Sequence, residues 1–389
     1  MKKIIVLLIC CSMQFIQAQS YKKIHEKAIF VDTHNDFLTK TMMYGFTFDS
    51  NLKGKTHSDL ARLKQGGLDV QFFSVWSDGN QKEPYAFANR QIDSLDAMIK
   101  RNPKLIVKVA TTKQLLKSVK QQKLVALIGI EGGHMIENNL DNLDAFYNRG
   151  VRYMTLTWNN STDWASSAFD ETFTKDLKHK GLTSLGKQII QRMNQLGIMV
   201  DVSHVGEQTF WDVIATTTKP IIASHSSVYN LCQHQRNLKD DQIKAIAKNG
   251  GVIQINFNSG FLNPEYKQKE TAFLEKHTTE IDSLKQSGKD EYWVEEYIYK
   301  KYSSEAEVLR ARFESVIENI TYVINLVGVD YVGIGSDFDG IVSTPLLLDD
   351  VTSYPLITKA LLDKGYSEKD IDKILGGNLL RVLQANETK

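Results

Sequence analysis

Cysteine is nearly missing from this 389-residue chain, which has three, Cys10, Cys11 and Cys232. A disulfide-stapled scaffold is excluded, so the core has to be stable on burial alone. Proline is scarce too, at 6 residues, and the 24 glycines follow no period, which removes collagen-like and low-complexity architectures. Charge of one sign is lacking: 47 Lys and Arg stand against 46 Asp and Glu, a net +1. No basic surplus therefore marks a nucleic-acid backbone or an anionic membrane as partner. No stretch reaches the ~18 consecutive apolar residues of a transmembrane span. What remains is ordinary for a folded protein, 42% hydrophobic and 24% charged. The length suits two average domains or one large α/β barrel.

The N-terminus reads as a leader rather than as fold. Lys2 and Lys3 precede the apolar run Ile4 to Cys11, and Phe15-Ile16-Gln17-Ala18 offers a small residue before Gln19. That is a charged n-region, a short h-region and a cleavage site after Ala18, giving a signal peptide over 1–18 and one mature domain over 19–389. Cleavage removes two lysines and no acid, taking the net charge from +1 to −1, and leaves Cys232 as the only cysteine. The expected location is periplasmic or secreted, without an internal disulfide. A lipid anchor at Cys10 fits less well, because bulky Ile9 stands where a small residue is wanted.

No repeat and no Gly/Ser- or Pro-rich linker divides the mature chain. Short apolar runs recur instead, separated by longer helical stretches. There are eight: 28–33, 69–75, 124–130, 151–157, 198–203, 220–224, 251–257 and 331–336. Several are apolar almost throughout, as parallel strands buried on both faces should be. Ser304 and Glu307 are spaced as a capping box ahead of Leu309, Phe313, Val316, Ile320, Val323 and Val327, with Gly328 as the stop. Leu185, Ile189, Met193 and Leu196 before Gly197 repeat the pattern. Eight strands alternating with helices predict a (β/α)₈ TIM barrel; an open doubly wound sheet would not need the eighth strand. Two stretches break the alternation. Residues 37–62 read as a long polar connection after the first strand. Residues 263–305 form a charged helical insertion after the seventh, expected as a solvated helix pair outside the barrel rather than as a lid.

The apolar runs end in residues that bind metals or move protons. His34 and Asp36 follow the first run, Glu131 the third, His204 the fifth, His225 the sixth and Asp337 the eighth. In a barrel these ends converge on one mouth. Residues two apart share a side of a strand, which places His34 with Asp36. A single strand-end histidine often just satisfies loop carbonyls, but the set is a nitrogen-and-oxygen list suited to zinc or a similar divalent ion. Five ligands are too many for one catalytic zinc. A two-ion site follows, with His34, Asp36 and Glu131 on one ion and Glu131, His204 and His225 on the other. Such a pair holds a hydroxide between the ions and polarises a carbonyl. Asp337 is the candidate for moving the proton, with Asp339 as the spare.

The motifs Val31-Asp-Thr-His-Asn-Asp36, Gly129-Ile-Glu-Gly-Gly-His134, Asp201-Val-Ser-His204, Ala223-Ser-His-Ser-Ser227, Gln235-Arg-Asn237 and Gly335-Ser-Asp-Phe-Asp-Gly340 occur in this order. Together they resemble the membrane (renal) dipeptidase family of the amidohydrolase superfamily, from about Ile29 to Arg381. The resemblance implies a barrel hydrolase with two Zn²⁺ per chain that cleaves dipeptides, often with a D-residue at the C-terminal position. His34, Asp36, Glu131, His204 and His225 then match metal ligands. Arg236 matches the arginine that grips the substrate carboxylate, a task suited to its planar fork. Asp337 matches the proton-transfer acid that also contacts the amine. The expected partners are a dipeptide and, in a homodimer, a second copy of the chain.

One departure stands out. Trp158 lies where many family members carry a histidine that helps polarise the scissile carbonyl. Tryptophan has one donor and no charge, so that help is altered, with Asn159 or Asn160 as replacements. An N-acyl-D-amino-acid deacylase, a β-lactam hydrolase or a weakly active peptide-binding protein are the alternatives. Five ligands and a proton shuttle in place argue against the last.

Overall fold

The computed structural model describes residues 21–388; the leader and its cleavage site lie outside the described residues. Nine strands, all parallel, form one sheet: β1 (Val31–Asn35), β2 (Val70–Trp76), β3 (Ile106–Lys108), β4 (Leu124–Glu131), β5 (Val151–Thr155), β6 (Met199–Asp201), β7 (Ile222–Ser226), β8 (Val252–Ile255) and β9 (Val332–Ile334). Eight of them run β1-β2-β4-β5-β6-β7-β8-β9 around the barrel. A bridge from Asn35 to Phe338 joins the last strand's end to the first. The eight apolar runs all became barrel strands. β3 is additional: it pairs with Leu124–Ala126, below the point where β5 takes over the same edge of β4 at Ile128.

The apolar runs are continuous because both strand faces are covered. Val70 and Phe72 of β2 point into the barrel and share a cluster with Val125, Leu127, Met199, Ile222 and Val252. Their neighbours Phe73 and Val75 belong to the outer layer, where helices pack. The interior is plugged from below by Leu379, Val382 and Leu383 of the C-terminal helix Asn378–Asn386. The helix expected before Gly197 runs Ser184–Leu196, capped by Thr183. The helix ending at Gly328 starts later than Ser304 implied, at Phe313, and Ser304 sits inside a separate four-residue turn, Ser303–Ala306. Within 37–62, helix Phe37–Tyr44 replaces the expected loop.

The insertion between β8 and β9 is the main correction. It is not a solvated pair of helices outside the barrel. Helices Tyr266–Lys276, Thr278–Gln286 and Glu291–Lys301 enclose a small core of their own, built on Phe273, Val294, Ile298 and Leu309. The last of them reaches back over the mouth: Glu296 binds Lys40 at 2.7 Å and Tyr44 at 2.9 Å, and the Tyr292 ring lies 5.0 Å from Trp76.

The seam between β9 and β1 is fastened by a buried carboxylate. Asp32 accepts from Ser336 N at 2.9 Å, Ser336 Oγ at 2.6 Å, Tyr354 Oη at 2.5 Å and His34 N at 3.3 Å. Burial raises its pKa against those donors. Tyr354→Phe removes one donor from a fully buried acid, and a hydrogen bond to a charged group contributes roughly 1.5–3 kcal/mol. The free energy of unfolding should drop by that amount; an unchanged value would show that the phenol is dispensable to the seam.

Candidate metal centre and active site

Two strand irregularities aim the site. The register of β1 shifts between Asp32 and Asn35, and that of β7 shifts between Ala223 and Ser226. Regular alternation after Val31 and Ile222 would turn His34 and His225 outward; the shifts turn them inward, their rings 3.8 Å apart. Asp36 joins His34, its Oδ2 3.4 Å from Nε2, but from the turn that opens helix Phe37–Tyr44 and not from the pleat of a strand. β4 keeps an unbroken register with β2 from Val125 to Glu131, so Glu131 faces inward two residues above Gly129. A methyl at Gly129 would overlap the Tyr153 ring, which fills that space.

Glu131 is the centre of the cluster. Its Oε2 lies 3.2 Å from His34 Nε2 and accepts from Ser74 Oγ at 3.0 Å. Its Oε1 lies 3.0 Å from His204 Nε2 and 3.6 Å from His225 Nε2. The two oxygens thus face different imidazoles. His34, Glu131 and His225 gather within the span of one ion, and so do His34, Asp36 and Asp337, so His34 stands between the two groups.

The outer nitrogens of all three imidazoles are committed. Tyr153 Oη donates to the Thr33 carbonyl at 3.1 Å and accepts from His34 Nδ1–H at 2.8 Å. Ser224 Oγ donates to Asp201 Oδ2 at 2.6 Å and accepts from His225 Nδ1–H at 2.8 Å. His204 Nδ1–H donates to Asn159 Oδ1 at 3.2 Å. In each ring these partners place the proton on Nδ1 and turn the Nε2 lone pair to the centre. That is the arrangement by which outer partners prepare metal-binding histidines.

The charge balance points the same way. Burial, with His34 and Arg236, holds His225 well below the ordinary imidazole value; burial and Arg236 take His204 down to about 3. Burial resists ionisation of Glu131, but the imidazoles outweigh it and keep its carboxyl well below the usual range. His34 differs: burial opposes its charge, but Tyr153, Glu131 and Asp36 raise its pKa well above the ordinary value, so a bound cation would take the place of its Nε2 proton. Neutral imidazoles at His204 and His225 and a carboxylate at Glu131 are already the forms that bind divalent ions. Two facing imidazole nitrogens, His204 and His225, lie only 3.0 Å apart. Asp36 Oδ1 is buried with no partner among the described residues. A bound cation would satisfy both, so the donor set fits a divalent metal.

Asp337 borders the cluster, its Oδ1 3.9 Å from His34 Nε2. Burial, with the like charges of Asp36 and Glu131, pushes its carboxyl well above the usual range, against the pull of His34. Asn256 donates to its other oxygen at 2.8 Å. It keeps 13% of its side chain open, against 6% for Asp36 and for Glu131. His204 and Asp337 both have left-handed backbones, φ 65° and 64°, a conformation uncommon outside glycine and concentrated where function demands it. Asp339 is turned elsewhere: it accepts from His57 N at 2.6 Å and from Ser58 Oγ, and so holds a loop.

Arg236 is buried, with Nη2 donating to the His225 carbonyl at 3.3 Å and Nε left without a partner among the described residues. With His204 it lines a cavity of about 380 Å³ whose rim carries Glu171, Phe173, Lys180 and Lys239. Burial lowers the Arg236 pKa to about 10, though Asp337 and Glu131 favour its charge. The Trp158 ring lies 6.3 Å from that of His204. The carbonyl oxygen of the Asn159 side chain serves His204, and the Asn160 amide donates to the Ser161 carbonyl at 3.4 Å.

Residues 18–389 match the model of the membrane dipeptidase family, peptidase family M19. The chain belongs to that family. An uncharacterized dipeptidase of Schizosaccharomyces pombe is 31% identical over 95% of this chain and 83% of its own length. Dipeptidase 3 of Mus musculus is 30% identical, covering 92% of this chain and 64% of the mouse protein. A metallopeptidase of Rhodobacter sphaeroides, solved with a phosphinate mimic of the dipeptide L-Ala-D-Ala, shares the fold. Its TM-score is 0.74 at 22% identity, over 93% of this chain and all of that one. As a member of family M19 the chain is a metallo-dipeptidase on a (β/α)₈ barrel.

The five expected ligands and Asp337 are together in this family member, with Arg236 and Trp158 flanking them. Ser74, Tyr153, Ser224 and Asn256 were not foreseen as site residues, and Asn159, expected as a stand-in for the family's histidine, instead holds His204. Asn256 had a signal, since it ends an apolar run as the ligands do. Tyr153 had none, because its partner His34 lies 119 residues away.

Proposed function

We propose that the chain is an exported zinc dipeptidase holding two ions, one by His34, Asp36 and Glu131 and one by Glu131, His204 and His225. The observation that carries this reading is the division of Glu131 between imidazoles whose tautomers are fixed from outside. When bound, such a pair polarises the scissile carbonyl and makes a water nucleophilic at neutral pH. The residues of the chain do the rest. Arg236 takes the substrate's carboxylate with its unpartnered Nε–H, at the edge of the cavity it shares with His204. Asp337, beside the cluster and partly open, accepts the proton of the attacking water and passes it to the leaving amine. Asn256 keeps one of its oxygens fixed, so that the other faces the reaction. The dipeptide mimic in the Rhodobacter sphaeroides relative supports a substrate of that size and the inclusion of a C-terminal D-residue. The leader-like residues 1–18 support export.

Metal analysis and a panel of L,L and L,D dipeptides with added zinc test the activity. The carboxylate anchor is tested by a dipeptide, its C-terminal amide and the matching tripeptide. Masking one partner of a buried charged pair costs about 2–5 kcal/mol, roughly 30- to several-thousand-fold in kcat/KM. Wild type should prefer the free dipeptide by that margin, and Arg236→Ala should lose the preference by slowing on the dipeptide. Similar wild-type rates on all three would remove the anchor and the dipeptidase reading with it.

A further inference from the structure

Three aromatic rings from distant parts of the chain meet beside the metal ligands. Trp76 ends β2, Trp158 follows β5 and Tyr292 comes from the insertion. Trp76 and Trp158 have centroids 5.2 Å apart, Trp76 and Tyr292 5.0 Å, and Trp158 and Tyr292 6.0 Å. All three are only partly buried. Trp76 is the register partner of Glu131, so its ring starts one strand away from the centre of the metal cluster.

This wall is held firmly. Gln91 clamps the Trp76 backbone from both sides, accepting from its N–H at 3.3 Å and donating to its carbonyl at 2.6 Å. Asp290 caps the helix that carries Tyr292, and Tyr292 Oη donates to Asp78 at 3.4 Å. Glu296, one turn on, is tied to Lys40 and Tyr44. The Trp76 indole N–H is buried with no partner among the described residues. An apolar surface fixed by polar clamps, left open on one side, is built to receive something.

Its position says what. Arg236 follows β7 and holds the carboxylate end on the side of the cavity shared with His204. The scissile carbonyl then lies at Glu131. The N-terminal residue has to continue away from Arg236, toward the end of β2, the strand across the barrel from β7. The three rings stand there for its side chain. Resting on the dipeptidase reading, we propose that Trp76, Trp158 and Tyr292 receive the side chain of the substrate's N-terminal residue. The insertion, through Tyr292, thereby selects large apolar or aromatic residues at that position. Aromatic rings favour such partners by area and by edge-to-face geometry. Trp158 then has a positive role in place of the family's histidine.

The test compares Gly-Ala, Leu-Ala and Phe-Ala on the zinc-loaded full chain, as wild type, Tyr292→Ala and Tyr292→Phe. Hydrophobic pockets discriminate by roughly 10- to 200-fold per group lost. Wild type should favour Phe-Ala over Gly-Ala by at least about tenfold in kcat/KM. Tyr292→Ala should collapse that ratio, and Tyr292→Phe, which keeps the ring, should preserve it. A merely structural ring would slow all three substrates alike and leave the ratio where it was, which overturns the proposal. So would a wild type that prefers Gly-Ala. Calorimetric binding of the same dipeptides separates the two readings. Tighter binding of Phe-Ala than Gly-Ala, lost in Tyr292→Ala but with neither cleaved, keeps the wall and overturns the hydrolase. Cleavage with an unmoved ratio overturns the wall alone, and absence of both binding and cleavage overturns both.

Discussion

Glu131→Ala should lose both metal ions, not one, and with them all measurable dipeptide hydrolysis. The reason is the division of its carboxylate. Oε2 serves the side of His34 and Ser74, and Oε1 serves the side of His204 and His225. Among the described residues no other acid touches both sides, so removing this one would withdraw a ligand from each ion. Asp36→Ala, by contrast, should leave the ion at His204 and His225 in place. Partners that only orient a ligand typically change metal affinity by about 10–100-fold, and a shared ligand should exceed that at both sites. Truncating a buried charged group also costs stability, about 3–5 kcal/mol when its partners are left behind. Glu131→Gln is therefore the companion variant: it keeps the shape and the contact with Ser74 while weakening metal binding. Metals per chain, measured by mass spectrometry on folded protein, decide the matter. Two ions retained in either variant would sink the bridging role.

How far the site was legible follows from which contacts are local. Strand ends converge in any barrel, so His34, Asp36, Glu131, His204, His225 and Asp337 could be found by noting what closes each apolar run. The aim of those side chains could not. His34 and His225 face inward because β1 and β7 slip register, and nothing in their neighbouring residues announces a slip. The partners that fix the tautomers are mixed in this respect. Ser224 adjoins His225, but Tyr153 and Asn159 reach their histidines across the barrel.

The fold divides in the same way. Eight strands were visible because both of their faces are buried. β3 was not, since it is three residues long and only Ile106 is fully buried. The insertion hid its role for a related reason. Its sequence is charged, and few of its residues face the barrel; Tyr292 and Glu296 carry the contact with the mouth. A count of charges registers the solvated faces and misses one docked edge.

The choice between Asp337 and Asp339 was open in the sequence and is the second large effect expected. Asp337→Asn should keep the fold and both metals yet lower kcat by roughly 10²–10⁴-fold, the usual contribution of a general acid–base. The fold should survive because asparagine is among the few residues that accept a left-handed backbone, which position 337 requires at φ 64°. The amide oxygen of the replacement can still accept from Asn256, so orientation is preserved and only proton transfer is removed. Asp339→Asn should behave the other way. That carboxylate is 2% exposed and accepts from His57 N and Ser58 Oγ, far more a loop fastener than a shuttle. Its replacement should lower the free energy of unfolding by about 1–3 kcal/mol and leave kcat the less affected of the two. Steady-state kinetics on metal-saturated protein, with metal content and denaturation measured on the same samples, separates these outcomes. If Asp339→Asn proves the slower enzyme at full metal occupancy, the proton travels through Asp339, and Asp337 is left with the substrate's amine alone.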